Sequence, residues 1–468
     1  MLVLAMILRW IRICRDGLDN SLRALSTLAT SALDSRGSPT SVPFLGHALD
    51  LGKQPMEFLM ACAQKTTEVF GILAGGQRIF IIHDPLSAHL VLKTTKSLSI
   101  AEFQDSVLRD MFNTPEQIVH SHFVDWNMTR KGYGHYLLSG KSLDALCERM
   151  MKKFQAMYHL QLSSLVLPSS PGSEKISVKL YDFVARFIFH VAVGTLFNGT
   201  INDTPEKCDA LFDAFHEFDC SVPFCLAGIP ISFQRKAFAS LNHIVKAIDP
   251  LKEDLSEFVQ QRSSYFAGVA EKDPIFLGKN GILNSPIFWA STSNSMPAVF
   301  WLMYFLMKSA ASSSKGNQNY FEMIRQEIRE KIPNWQQFLA KNFSAEGKDT
   351  DDDQPTASSF LSNDQLNELY FIDACFTETL RLVSGSFILR IVMEEQFQLS
   401  LHSGHSYRFR KGDRVGLFPG LFHKNPKIFP DPEEFDLYRW IRGDTPEEKL
   451  LAAQGRIPLF YEGHELNP

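Results

Sequence analysis

The 468-residue sequence predicts a mainly α-helical fold with small β-sheet patches. Apolar residues recur at helical spacing along most of the chain, and strand-like runs are short and confined to two stretches. A composition that is 45% hydrophobic and holds 38 Phe residues requires a large apolar interior. The 47 Lys+Arg and 52 Asp+Glu give a net charge of -5, which excludes a nucleic-acid binder of the basic type. Disorder, collagen and coiled coil are excluded by composition. The seven cysteines are odd in number and irregularly spaced, which argues against a disulfide framework and for a reducing compartment.

Taken in chain order, an apolar run at Met1 to Leu8 is followed by Arg9, Arg12 and Arg15. It is far shorter than the roughly 20 residues of a spanning helix. Its charges follow the apolar run, whereas a secretory signal places them before it. Two readings stay open, an interfacial amphipathic anchor and an unstructured leader. Phe70 to Leu73, Arg78 to His83 and Ala88 to Leu92 read as strands. Asp249-Pro250 supplies an N-cap and a first-turn proline for a helix with Leu251, Leu255, Phe258 and Val259 on one face, and Ser285-Pro286 opens the next helix in the same way.

The segment Pro286 to Met307 is apolar enough for a hydropathy scan to select it, but its centre holds Ser291, Thr292, Ser293, Asn294, Ser295 and Pro297. A central core helix is favoured over a membrane span, because those groups lack partners in lipid. Tyr320, Ile324, Ile328 and Ile332 mark a surface helix. Residues 344–359 read as a solvated loop, whose Asp351, Asp352 and Asp353 lack the spacing of a calcium loop. Ser362 to Gln365 has the form of a capping box ahead of a helix that ends FTETLRL. Phe387 to Val392, Gln398 to Leu401, Tyr407 to Phe409 and Arg414 to Phe418 form a second strand patch, broken by Gly404 and Gly412. There is no P-loop, GxGxxG, HExxH or GxSxG pattern, so nucleotide, zinc-protease and esterase chemistry lack their usual residues, and no metal ligands are assigned.

The order of features is more specific than any one of them. A long apolar helix with a polar, proline-containing centre is followed by ETLR with Glu378 and Arg381, then the β patch, then Pro432, Phe435 and Arg439 in P-x-x-F-x-x-x-R-W. This set, from about Pro43 to Trp440, resembles the cytochrome P-450 haem-thiolate monooxygenases. Within them, WASTSNSMPAVFW at Trp289 to Trp301 is similar to the branch of sterol 7-hydroxylases and prostacyclin synthase. Gly46 to Leu59 and Leu196 to Asn198 look closest to the oxysterol 7α-hydroxylases that act on 24-hydroxycholesterol.

The resemblance implies a cytochrome P-450 fold, incomplete at the C-terminus, over residues 41–440, with an atypical leader at 1–40 and a divergent tail at 441–468. It implies haem as cofactor, with Trp126, Arg130 and Arg390 toward the propionates. Asn294 would face the oxygen-binding side, and Pro297 would free a backbone carbonyl there. Glu378, Arg381 and Arg439 would form a buried charge cluster. The implied partners are a sterol substrate, an NADPH-dependent reductase and the membrane surface on the cytosolic face of the endoplasmic reticulum, with no nucleic acid.

One departure bears on activity. A haem thiolate needs a cysteine in a glycine-rich loop after the P-x-x-F-x-x-x-R-W motif, and no cysteine follows Cys375. His464 is the only nearby residue able to ligate iron, and the loop pattern around it is absent. The expectation is a sterol monooxygenase in a truncated form of low or no activity. The alternatives are a non-enzymatic apolar-ligand-binding or regulatory remnant and an isomerase of the prostacyclin synthase type.

Overall fold

The computed structural model describes residues 46–74, 77–124, 126–137, 140–165, 178–197, 205–226, 229–248, 255–312, 319–332, 335, 365 and 368–441. The leader, the Asp249-Pro250 pair, the 344–359 loop, the Ser362 capping box and His464 lie outside the described residues. The chain divides into two compact units, one made of the residues up to Gln104 and those from Leu380 onward, the other of Asp105–Thr379.

The first unit is built on a mixed sheet of strands β1 (Val69–Ala74), β2 (Gln77–Ile82), β3 (Leu98–Ser99), β4 (Ile388–Val392) and β7 (Arg414–Leu417), in the order β1-β2-β7-β4-β3. Early and late segments, read from sequence as two separate patches, therefore share one sheet. Strand β7 pairs parallel with β2 through Phe80 and Val415, and antiparallel with β4 through Arg390 and Val415. A second sheet holds only β5 (Gln396–Ser400) and β6 (Ser406–Arg410). Gly404 and Gly412 take φ of 88° and 82°, which suits glycine at the turns that follow β5 and β6. Two apolar clusters flank the strands, one with Val392, Val415 and Leu417, the other with Phe70, Ile81 and Phe418.

One expected strand is a helix. Residues Ala88–Lys93 form a helical turn and a half, started by Pro85 and by the Asp84 carboxylate, which accepts the Leu86 N–H at 3.3 Å. Ala88 and Val91 are buried at a spacing of three, so the apolar period there is that of a helix.

The second unit is helical. Its main elements are α1 (Trp126–Tyr136), α2 (Gly140–Leu165), α3 (Leu180–Leu196), α4 (Pro205–Asp219), α5 (Arg235–Ile248), α6 (Glu257–Ala270), α7 (Asn280–Ser293), α8 (Ser295–Ser312), α9 (Tyr320–Lys331) and α10 (Tyr370–Val383), the last of which runs on into the first unit. The phenylalanine-rich composition supplies several cores, the largest group of rings lying in the second unit. Phe288 of α7 lies 5.8 Å from Phe189, 5.6 Å from Phe197 and 6.1 Å from Phe215, in edge-to-face or tilted contacts.

Two helix starts differ from the sequence reading. Helix α6 begins at Glu257, capped by Ser256, whose Oγ accepts the Val259 N–H at 3.4 Å. Helix α7 begins at Asn280, so Pro286 is internal to it. Pro286 has no N–H to return to the Ile282 carbonyl, and the Ser285 hydroxyl donates to that carbonyl at 2.7 Å instead. No described helix is long and apolar enough to cross a membrane, and the apolar segment from Pro286 is interrupted at Asn294. Phe288 of its first half is buried in the core of the second unit, and Phe300 of its second half meets Tyr181 at 5.2 Å, but Trp301 and Tyr304 are exposed, so the expected core helix is buried only in its first half.

The close spacing of β4 and β7 gives a direct test. A Cβ added to Gly416 would lie 2.5 Å from the Ile388 carbonyl oxygen and 2.5 Å from Leu389 Cδ2, whereas one on Gly134 meets nothing within 4 Å. Gly416→Ala is expected to cost about 2 kcal/mol in urea unfolding. Gly134→Ala, inside α1, is expected to gain about 0.5–1 kcal/mol.

Candidate active site

The helix carrying ETLR is held at its start by a residue from another helix. Glu327 of α9 is buried, and its carboxylate accepts the Phe371 and Ile372 N–H groups at 2.9 and 3.4 Å. It thereby occupies the orphan donors of the first turn of α10. Burial pushes the Glu327 carboxyl above its ordinary range, and the backbone donors oppose that shift.

Further along α10, Glu378 and Arg381 are both fully buried. The Arg381 guanidinium donates to the carbonyls of His423 at 2.8 Å, Pro432 at 2.7 Å and Glu434 at 3.1 Å. It also lies over the Phe429 ring, 5.1 Å from its centroid. Arg439 reaches the same loop and donates to the carbonyls of Pro430 and Asp431, the latter at 2.8 Å. Two arginines therefore clamp the Pro430–Glu434 turn, in which Asp431 holds a φ of 48°. The expected cluster is buried only in part, since Glu378 and Arg381 are inaccessible and Arg439 is half-exposed.

His423, beside this clamp, is buried, and burial together with the Arg381 charge pushes its imidazole down to about 4. Arg390 lies in β4, where its guanidinium donates to the Leu389 carbonyl at 3.2 Å. Asn294 sits between α7 and α8, exposed, with its carbonyl accepting the Ala298 N–H at 3.2 Å. Pro297, three residues on, has no N–H to offer the Ser293 carbonyl. The hydroxyl of Ser295 caps the break from the other side, donating to the carbonyls of Ser291 at 2.8 Å and Thr292 at 3.2 Å. The Ser293 hydroxyl is buried at this break without a hydrogen-bond partner.

Trp126 and Arg130 are one turn apart on α1, and their side chains lie outside the described residues. What fixes that helix is a residue absent from the sequence reading. Arg262 of α6 donates to Thr129 Oγ1 at 2.9 Å and to the Leu283 carbonyl at 2.9 Å, and burial pushes it down to about 10. Gly132 of α1 faces the Phe258 ring, with room for a Cβ only at 3.1 Å from Cε2. An isolated arginine in an amphipathic helix carries no signature of such a role.

A thiolate is the remaining requirement of the site. The described cysteines Cys62, Cys147, Cys220, Cys225 and Cys375 all have their thiols pushed up, with burial as the first cause. Cys375, inside α10 and near the charges of Glu327 and Glu378, is pushed up to about 12. Among the described residues no group of His, Cys, Asp and Glu could hold a metal ion. At every described cysteine, burial therefore opposes the thiolate that a haem-thiolate centre requires.

The cytochrome P450 family model matches residues 37–452, and the chain belongs to that family of haem-dependent monooxygenases. It is 28% identical over 425 residues to cytochrome P450 7B1 of Mus musculus, covering 90% of this chain and 76% of the relative. It is 27% identical over 380 residues to the 25-hydroxycholesterol 7-alpha-hydroxylase of Rattus norvegicus, covering 80% and 83%. It is also 25% identical over 435 residues to the prostacyclin synthase of Homo sapiens, covering 89% and 78%. These relatives place it within the sterol 7-hydroxylase branch.

Two outcomes test the clamp. Arg381→Ala removes the donor from one buried and two part-buried carbonyls and is expected to cost about 3–5 kcal/mol. Arg381→Lys is expected to recover little of it in thermal unfolding, because an ammonium cannot span the same carbonyls. The second concerns pH. An unfolded His423 takes up its proton below its ordinary 6.5 and the folded one only near 4, so the stability contributed by neutral His423 is whole above 6.5. It is lost as pH falls from 6.5 to 4, and His423→Gln is expected to flatten that part of the pH–stability curve.

Proposed function

We propose that the chain is a sterol monooxygenase of the oxysterol 7α-hydroxylase type, acting on the cytosolic face of the endoplasmic reticulum with electrons from an NADPH-dependent reductase. The observation that carries the reading is the central helix. Its break at Asn294, with Pro297 withholding an N–H and Ser293 presenting a buried hydroxyl, puts polar groups in the middle of an otherwise apolar helix. Such an arrangement suits a large apolar ligand with few polar groups. The names of the relatives, among them a 25-hydroxycholesterol 7-alpha-hydroxylase and a cholesterol 7-alpha-monooxygenase, support sterol as the class.

Within this proposal Trp126, Arg130 and Arg390 are the residues that would hold the haem propionates, with Asn294 on the oxygen side. The proposed domain spans residues 41–440, within the 37–452 matched by the family model. Bound haem would supply activation of O₂ for insertion into a C–H bond. With no cysteine after Cys375, the 468-residue chain has low turnover in this proposal. A second reading, a sterol-binding protein without turnover, is favoured by the thiol chemistry, since burial pushes every described thiol up.

The test is made on the purified 468-residue chain supplied with haem, reductase, NADPH and 25-hydroxycholesterol. The expected result is saturable sterol binding with no thiolate-type Soret band after reduction under carbon monoxide. A thiolate band with turnover to a 7α-hydroxylated product would overturn the low-turnover statement and uphold the monooxygenase reading. Conversion of an endoperoxide without reductant would instead indicate an isomerase of the prostacyclin synthase type.

A further inference from the structure

The second half of the central segment turns an apolar face to solvent. Helix α8 is 18 residues long, and Lys308 is its only charged side chain. Trp301 is 36% exposed, Tyr304 39% and Met307 50%, and Lys308 and Ala311 are exposed with them. A surface helix ordinarily presents polar residues to water, and one that is apolar nearly all round belongs under a cover. The rings of this face are already held in place. Trp301 stands edge-on to Tyr304, 5.4 Å between centroids, and stacks on Phe305 at 5.8 Å. Phe300 joins the row to the exposed ring of Tyr181 on α3. Aromatic groups fixed in this way lose little conformational entropy on docking.

The order of the exposed residues points to the kind of surface that fits. Trp301, Tyr304, Lys308 and Ala311 follow one another at spacings of three, four and three, the seam of a two-helix coil. That seam is complementary to its own reverse. With a second α8 laid antiparallel across it, about a two-fold axis beside Leu306, Trp301 of each copy faces Ala311 of the other and Tyr304 faces Lys308. Bulk then meets a small residue, and a ring meets a cation. Antiparallel helices also set their macrodipoles in opposition. With Val178, Tyr181, Met307, Ala311 and the Lys308 stem counted beside the two rings, the face offers roughly 500 Å² per copy, so a symmetric pair buries about 1,000 Å², enough for a weak, reversible dimer. An anionic lipid surface asks for a cluster of basic residues, and α8 has one.

We infer that this stripe of α8 is a self-association surface, on which two copies of the chain pack α8 against α8 as an antiparallel, two-fold pair. The contact is isologous, so each residue acts twice and the pair closes on itself instead of growing into a filament. Few groups hold it, and the dissociation constant is expected in the micromolar range. Assembly of this kind does not depend on the sterol reading.

Sedimentation equilibrium of the full 468-residue chain, from about 1 to 100 μM, is expected to show monomer and dimer in exchange. Trp301→Ala removes a ring from both ends of the seam and is expected to raise the dissociation constant about 100-fold, tenfold for each of two equivalent contacts. Ala311→Arg keeps a good helix former and fills the position opposite Trp301, and is expected to separate the copies as effectively. Lys308→Ala is expected to weaken the pair about tenfold. Phe224→Ser removes a ring that is 55% exposed elsewhere in the second unit and is expected to change nothing. All four positions are exposed, so circular dichroism and melting of the variants are expected to match the wild type. A monomer at every concentration would overturn the inference. Association that Trp301→Ala and Ala311→Arg leave intact, or that Phe224→Ser abolishes, would do the same, as would growth beyond a dimer. A monomer whose Trp301, read as the difference from Trp301→Phe, is shielded from acrylamide would assign the face to another segment of the same chain and equally overturn it.

Discussion

A guanidinium with no access to water is the constraint on which the late part of the chain depends. Arg381 cannot be buried alone, because a desolvated cation without acceptors costs several kcal/mol. It is accommodated because three carbonyls, of His423, Pro432 and Glu434, turn toward it. Arg439 repeats the arrangement on Pro430 and Asp431 of the same turn. The loop has no regular secondary structure to satisfy those carbonyls, so the arginines take the place of a ladder. The opposite end of α10 is secured by a carboxylate, Glu327, on the N–H groups of Phe371 and Ile372. One helix is thus fixed by an anion at its donor end and carries a cation toward its acceptor end, which agrees with its macrodipole.

The central helix shows the complementary use of proline. Pro286 costs little because the Ser285 hydroxyl takes up the carbonyl that it leaves free. Pro297 coincides with a real break, between Ser293 and Ser295, where the polar run of the sequence supplies hydroxyls to the exposed backbone. The difference between the two prolines lies in the neighbouring side chains. Around Pro286 the helix is clothed in Ile287 and Phe288 and stays continuous, whereas around Pro297 it opens and presents polar groups.

Much of this was legible in the sequence. The helical character, the abundance of buried phenylalanine and the strands about Phe70, Arg78, Phe387 and Arg414 follow from composition and periodicity, and the burial of Glu378 and Arg381 agrees with what the family resemblance implied. What the sequence missed has two causes, segments too short to show a period and partners distant along the chain. Ala88–Lys93 reads as a strand because six residues do not resolve a period of two from one of 3.6. The cap on α10 comes from Glu327, and the brace on α1 from Arg262, two residues that are ordinary in their own helices. The merging of early and late strands into one sheet depends on β2–β7 pairing, a long-range contact that local patterns do not encode.

In this P450 chain of the sterol 7-hydroxylase branch, burial pushes every described thiol up, against the thiolate that a cysteine-ligated haem requires. Resonance Raman spectroscopy of the 468-residue chain loaded with haem reads the axial bond directly. No iron–sulfur stretching band is predicted, with or without bound sterol. A band that shifts on sulfur isotope labelling of cysteine would contradict the account.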